Sequence, residues 1–258
     1  MLLNELMTIK GYVVTLISYL LRPAKRKCLK LAFRHRRQTG LEIGGPSSFF
    51  HLQTYFPVYF LAHRIDGVNF SSETVWEGTI KEGETYRYFK DKIGTQFIDE
   101  ASELKSIGND VYDFVLSCHS LEHIANPVKA LMEWKRVLKA GGSLVLVLPD
   151  KRYTFDHKRN YTSFEHLLDD YKNKITEHDN THFQEVLALH DRTMDAGLAQ
   201  VTSLESRLQQ NYLNRCVHHH VFSQELVREL LTYCGFTMMH QQELSSFHLV
   251  AIAKKNDG

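Results

Sequence analysis

Cysteine is scarce and scattered, with only Cys28, Cys118, Cys216 and Cys234 in 258 residues. No two stand at a CxxC or CxxxC spacing, so neither a zinc knuckle nor a disulfide framework is expected, and the thiols read as buried groups in a reducing, cytoplasmic setting. Net charge is almost absent. The 31 Lys and Arg against 30 Asp and Glu leave a formal +1, which removes any global electrostatic case for nucleic acid or an acidic substrate. Long apolar runs are missing too: Tyr12 to Leu21 is about half of the roughly 20 residues a spanning helix needs, and Glu5 and Lys10 interrupt what precedes it. The first residues carry no positive excess and no small-residue cleavage site follows, so a secretory leader is not expected either.

One local absence matters more. Between Arg22 and Arg37 there is no acidic residue, while Arg22, Lys25, Arg26, Lys27, Lys30, Arg34, Arg36 and Arg37 are basic. Before them, Leu2, Leu3, Leu6, Ile9, Val13, Leu16, Ile17, Leu20 and Leu21 recur at helical spacing, which predicts an amphipathic helix ended by Pro23. Residues 1–37 are therefore set apart as an arm, with two readings: a helix packed on the main domain, or an interfacial helix whose basic neighbours meet anionic lipid at the inner membrane face.

Residues 38–258 read as one domain. Leu41 to Ile43 is a strand that runs into Gly44, Gly45 and Pro46, with Ser47 or Ser48 placed to cap a helix. The run Val58 to Ile65 leads to a second strand ending at Asp66, followed by Gly67. Asp66 lies 24 residues after Glu42, near the interval of about 20 at which an acid meets ribose hydroxyls in nucleotide-binding units. Ser71 to Gly94 reads as a loop and weak helix, and Thr95 to Ile98 as a strand ending in Asp99, Glu100 and Ala101. Val111 to Ser117 is a continuous apolar strand that delivers Cys118, His119, Ser120, Leu121, Glu122 and His123 to the same edge. Pro127 opens a helix closed by Lys139 and Gly141, and Leu144 to Leu148 is the fifth strand.

The β-α alternation predicts a doubly wound, mostly parallel sheet covered on both faces. It then stops: Lys151 to Val217 has no good strand but shows helical periodicity in Phe164 to Tyr171 and Phe183 to Leu189. Some 67 residues far exceed an ordinary βα loop of about 2–6, which predicts a helical lid over residues 151–217. A helix over Phe222 to Cys234 and strands at Phe236 to Met239 and Phe247 to Ala253 complete seven strands.

Together, Leu-Glu-Ile-Gly-Gly-Pro at the first turn, Asp66, the segment Asp99 to Leu104, Phe-Val-Leu-Ser-Cys-His-Ser-Leu-Glu-His and Arg-Val-Leu-Lys-Ala-Gly-Gly resemble the class I S-adenosylmethionine-dependent methyltransferases, type 11. The resemblance implies a Rossmann-like fold and S-adenosylmethionine as cofactor. It places Glu42, Gly44, Gly45 and Pro46 at the methionyl end, Asp66 and Gly67 at the ribose, Asp99 or Glu100 with Ala101 at the adenine, and Cys118 and His119 at the cofactor edge. Pro46 and Ser48 stand where the family's turn has further glycines.

Methyl transfer from a sulfonium leaves the enzyme to align the acceptor and take up its proton, and histidine is the natural base near neutral pH. Among 15 histidines, His123 and His119 are the first candidates, with a cofactor or backbone contact as the plainer role of His123. Asp156, His157 and His219 are the next candidates. Lys151, Arg152, Lys158 and Arg159 would suit a substrate phosphate or carboxylate, or else form a solvated run. No His-Glu-x-x-His spacing appears, so no metal is expected. The reading is a methyltransferase acting on a hydroxyl or amine of a small molecule or glycan, such as a surface-polysaccharide or lipid-linked sugar intermediate. The rivals are a non-catalytic membrane or protein-binding adaptor on the same fold and a nucleic-acid methyltransferase; the latter lacks an Asn-Pro-Pro-Tyr segment, and no nucleic-acid partner is expected.

Overall fold

The computed structural model describes residues 15, 17–19, 21–195, 197, 203–245 and 247–256. Most of the helix expected over residues 1–21 lies outside them. Residues 17–19 and 21 are helical, the chain turns extended at Arg22, and Pro23 then opens helix α1, Pro23–Ala32.

Eight strands form one sheet: β1 Thr39–Ile43, β2 Arg64–Asn69, β3 Gly83–Phe89, β4 Lys92–Ile98, β5 Tyr112–Cys118, β6 Leu138–Pro149, β7 Phe236–Leu244 and β8 His248–Lys255, in the order β3-β4-β2-β1-β5-β6-β8-β7. From β4 to β6 every pairing is parallel, whereas β8 runs antiparallel to both β6 and β7. Among the described residues this sheet has one strand more than the seven expected, and Glu73–Thr74 pairs with Gly78–Thr79 in a separate two-stranded sheet. The extra strand is β3, antiparallel to β4 at the sheet edge and drawn from the stretch read as a loop and weak helix. Its Tyr86 and Tyr88 are buried while Thr85 and Arg87 are exposed, the two-residue period of a half-covered strand.

Burial explains the central strands. Phe114, Val115 and Leu116 of β5 and Leu144 to Leu148 of β6 are fully buried, as a parallel sheet covered on both faces requires. One face is covered by α3, Pro127–Val137, and α8, Gln224–Tyr233. Asn126 caps α3 by accepting from Lys129 N–H at 3.0 Å, and Val128, Leu131, Trp134 and Val137 are all fully buried along it, each contributing roughly 1.5–3 kcal/mol of burial. The helix stops at Val137, earlier than the expected Lys139. Gly141 and Gly142 belong to β6, where the register shifts between the pairs at Tyr112 and Phe114.

The other face is covered by residues 49–62, including the short helix α2, Val58–Leu61, and by α1, whose Cys28 and Ala32 are fully buried against this layer. Basic as it is, α1 packs on the sheet, and its exposed cations point outward. The first turn is followed by a 3-10 turn, Ser48–Phe50, with no capping side chain, in place of the expected capped helix.

Between β6 and α8 lie α4 Phe164–Lys172, α5 Phe183–Leu189, α6 Leu204–Gln209 and α7 Asn211–Asn214. Their own small core joins Val186, Leu204, Leu208 and Val217.

Candidate active site

The turn after β1 is held from below. Glu42 is fully buried, and its carboxylate accepts from Tyr59 Oη at 2.5 Å, Tyr86 Oη at 2.6 Å and Ser47 N–H at 3.0 Å. Burial pushes it up to about 7 even with three donors. Its oxygens face these groups, so Glu42 braces the turn from below, outside the cavity lining described next. Gly45 sits against this knot: an added Cβ would lie 2.2 Å from Glu42 Cδ and 2.4 Å from Tyr86 Oη. Gly44 is left-handed, φ 76°, and an added Cβ would lie 2.5 Å from Ser120 Oγ. Both positions demand glycine, for packing at Gly45 and for conformation at Gly44.

Above the turn, a cavity of about 370 Å³ opens at the carboxyl ends of the parallel strands, where this topology places ligands. Gly44 and Pro46 form its floor; Asn69, Phe70, Trp76 and Glu77 one wall; Asp99, Glu100 and Ala101 the next; Cys118, His119, Ser120, His123 and Ile124 the third. Arg215 closes the edge from the insertion.

Asp66 and Gly67 are outside this lining. β2 continues three residues past Asp66, which pairs with Leu41 inside the sheet and accepts from Arg64 Nε at 2.8 Å, Thr95 N–H at 2.8 Å and Tyr112 Oη at 2.9 Å. Gly67 makes room for the Tyr86 ring. The residue that ends β2 at the cavity is Asn69, whose Nδ2 donates to the Gly45 carbonyl at 3.2 Å while Oδ1 accepts from Trp76 Nε1 at 3.2 Å. The signal for it was Val68, an apolar residue resuming the strand after Asp66-Gly67.

At the β4 end, Asp99 Oδ2 accepts from Ser106 N–H at 2.8 Å. Glu100 is engaged by Arg215 at 2.6 Å, and Arg215 in turn reaches Glu177 at 2.9 Å and covers the Phe70 ring at 4.7 Å. Arg215 is left-handed at φ 49°, and nothing in its sequence surroundings marks it as a site residue. The Ala101 carbonyl accepts from Trp134 Nε1 at 2.9 Å, tying this loop to α3.

The β5 edge carries the titratable groups. His119 is left-handed, φ 53°, with Nε2 2.9 Å from His248 Nδ1 and its ring stacked on Phe247; burial pushes it down to about 3. Burial holds the Cys118 thiol well above its ordinary range, so it is no nucleophile. His123 Nδ1 lies 3.1 Å from the Val217 carbonyl. A carbonyl only accepts, so Nδ1 carries the proton and Nε2 is left as the basic nitrogen. Burial, with His218 beside it, holds this imidazole well below 6.5. Between the two histidines is Glu122, 1% exposed, with neither carboxylate oxygen hydrogen-bonded. Its Oε1 lies 3.6 Å from His119 Nδ1 and 3.9 Å from His123 Nε2, and burial raises it to about 7.

A family model described as a methyltransferase domain, type 11, matches residues 50–146, from just past the first turn to the middle of β6. Over those residues the chain is similar to a type 11 methyltransferase domain. The motif resemblance implies S-adenosylmethionine as the cofactor of such a domain. Among solved structures, an S-adenosylmethionine-dependent methyltransferase from Mesorhizobium loti is 14% identical with a TM-score of 0.51, over 90% of this chain and 96% of that one. A putative S-adenosylmethionine-dependent methyltransferase from Listeria monocytogenes is 14% identical, TM-score 0.49, over 90% and 96%. The Burkholderia thailandensis 1,6-didemethyltoxoflavin-N1-methyltransferase, with bound 1,6-didemethyltoxoflavin and S-adenosylhomocysteine, is 16% identical, TM-score 0.48, over 98% and 92%. No curated protein matches the sequence.

The methyltransferase cavity suits such a cofactor in shape and in chemistry. Its floor is a glycine turn that a Cβ would obstruct, its walls alternate apolar surface with Asn69, Glu77, Asp99 and Glu100, and its third wall carries the His119 and His123 imidazoles, with the buried Glu122 carboxyl behind them. The other expected catalytic residues of this methyltransferase lie elsewhere. His157 pairs with Asp191 at 2.9 Å. Fully buried His219 has Nδ1 3.7 Å from Asp179 and Nε2 3.3 Å from Asn211 Nδ2, away from the cavity. Asp156 binds His218 Nδ1, and the His218 ring meets the His123 ring edge to face at 4.5 Å, so Asp156 reaches the site only through His218.

The expected substrate cations are occupied as well. Arg159, 1% exposed, binds Asp156, Glu185 and the His218 and His219 carbonyls. Arg152 pairs with Asp150 and Glu243, Lys151 with the Arg159 carbonyl, and Lys158 with Asp191. Arg152 ties the start of the insertion to Glu243 of β7, while the contacts of Arg159, Lys151 and Lys158 hold the insertion to itself.

Proposed function

We propose that this enzyme methylates a hydroxyl or amine of a small molecule or glycan, with His123 as the base. The observation that carries the reading is the fixed tautomer of His123, whose Nδ1–H is held by Val217 while Nε2 stays basic at the cavity. Bound S-adenosylmethionine supplies a methyl group already activated toward a nucleophile. Gly44 and Gly45 admit its methionyl end, Asn69 and Glu77 stand where ribose hydroxyls need acceptors, and Asp99 and Ala101 flank the adenine. Glu100, held by Arg215, closes that wall. His123 Nε2 takes the acceptor's proton, and Glu122 at 3.9 Å offsets the imidazolium charge as it forms. His119, held 2.9 Å from His248, stays neutral and takes no part in the proton transfer.

The test incubates purified enzyme with methyl-labelled S-adenosylmethionine and fractionated small-molecule and glycan extracts. Label in a hydroxyl- or amine-bearing product supports the reading. Label confined to RNA or DNA overturns it.

No helix among the described residues is long and apolar enough to cross a membrane. The outward face of residues 22–37 presents Arg22, Arg26, Lys27, Lys30, Arg34 and Arg36 beside exposed Leu21 and Phe33, and we infer peripheral contact with anionic lipid there. At about 1 kcal/mol per cation near such a surface, charge reversal at Arg26, Lys27 and Lys30 is expected to abolish co-sedimentation with anionic liposomes; retained binding would dismiss the contact.

A further inference from the structure

Three imidazoles and a carboxylate, from separate stretches of the insertion and the segment just after it, converge outside the cavity lining. His166 and Asp170 stand one turn apart on α4, His182 immediately precedes α5, and His220 ends the segment that orients His123. The rings of His166, His182 and His220 pack mutually edge to face at 5.0, 5.7 and 5.3 Å. His166 Nε2 lies 3.2 Å from His182 Nε2 and 3.4 Å from Asp170 Oδ2, and His220 Nε2 lies 3.6 Å from the same oxygen and 3.2 Å from the Ala125 carbonyl.

Those separations have a specific chemical meaning. Ligand atoms at about 2.0–2.1 Å from a tetrahedral zinc ion stand roughly 3.3 Å from one another; three edges of the cluster lie at 3.2–3.6 Å and all four ligand atoms fall within 4.8 Å, close enough to contract onto one ion. Without an ion the arrangement is costly. Asp170 Oδ2 is buried with no hydrogen-bond donor and His220 Nδ1 is equally unpartnered, while the His220 Nε2 contact with the Ala125 carbonyl is one that an ion bound at this nitrogen replaces.

We propose that His166, Asp170, His182 and His220 form a closed four-coordinate site for one zinc-type divalent cation. Four protein ligands leave no open position, so the site is structural. It ties α4 to the segment whose Val217 carbonyl orients His123, so the ion secures the base without touching substrate. A motif search misses it because its ligands come from three separate stretches. His182 is also shared with Asp179 and His219, a set of only three ligands, and Glu122, His123 and His218 form another; both serve as controls.

The experiment uses the full chain without a histidine tag, stripped with chelator and titrated with Zn(II) or Co(II). One equivalent per chain is expected, with the intense visible absorption of tetrahedral cobalt. His166 is the most exposed ligand, so His166→Ala is expected to fold, as circular dichroism will show, and to lose at least about 100-fold in affinity. Asp179→Asn and His123→Asn are expected to bind as the parent does. Substoichiometric binding by the parent, undiminished binding by folded His166→Ala, or loss of metal in His123→Asn would overturn the assignment.

Discussion

His123→Asn is expected to lower kcat for methyl transfer by about 10²–10⁴-fold while leaving S-adenosylmethionine affinity unchanged. Asparagine can still donate to the Val217 carbonyl, now 3.1 Å from His123 Nδ1, so the local frame survives and only the basic nitrogen is removed. The pH profile supplies a second readout. Because the folded protein holds His123 well below 6.5, the imidazole is neutral and competent at pH 7. The acid limb of kcat due to His123 therefore appears below 6.5, as protonation removes the base on the acidic side. The groups facing it, Glu122, His119 and His218, are all close enough to move this limb, and Glu122→Gln should displace it without matching the loss in His123→Asn. An unchanged kcat in His123→Asn would reduce His123 to a backbone anchor.

Gly45→Ala is expected to cost about 1–3 kcal/mol of stability by overpacking and to weaken cofactor binding at least tenfold, about 1.4 kcal/mol. The new methyl would meet Glu42 Cδ at 2.2 Å and Tyr86 Oη at 2.4 Å, so either the buried Glu42-Tyr59-Tyr86 knot opens or the turn lifts into the cavity. Both responses damage the floor of the site. Gly108→Ala is the matched control, because its Cβ would find only Val111 Cγ2 at an ordinary 3.7 Å. Thermal melting and calorimetric titration separate the two terms, and a Gly45→Ala protein with unchanged affinity would mean that the turn does not touch the cofactor.

What could be read without coordinates was whatever leaves a local pattern. The strand entering Gly44, the apolar β5 that delivers His119 and His123, and the insertion helices α4 and α5 follow from apolar period and length. What escaped depends on where strands end and on contacts between distant segments. Asp66 carried a turn signal in Asp-Gly, yet pairing with β1 carries the strand on to Asn69 and turns Asp66 into a partner of Arg64 and Tyr112. β3 was hidden because its Tyr86 and Tyr88 alternate with charged and polar residues in a stretch dominated by polar ones. Glu42 reads as holding both the methionine amino group and the turn, and only Tyr59 and Tyr86, 17 and 44 residues away, show how it braces the turn. Arg215 and Arg159 are cations in an insertion with no strand pattern, and their roles emerge only from the carboxylates and carbonyls they meet.

A co-crystal structure with S-adenosylhomocysteine tests the central claim most directly. The account predicts the ligand in the cavity between Gly44 and Ala101, its ribose hydroxyls at Asn69 or Glu77 rather than Asp66, and its sulfur facing the side of the cavity that carries His123. Ligand density against Asp66, or at any site away from the carboxyl ends of β1, β2, β4 and β5, would contradict it.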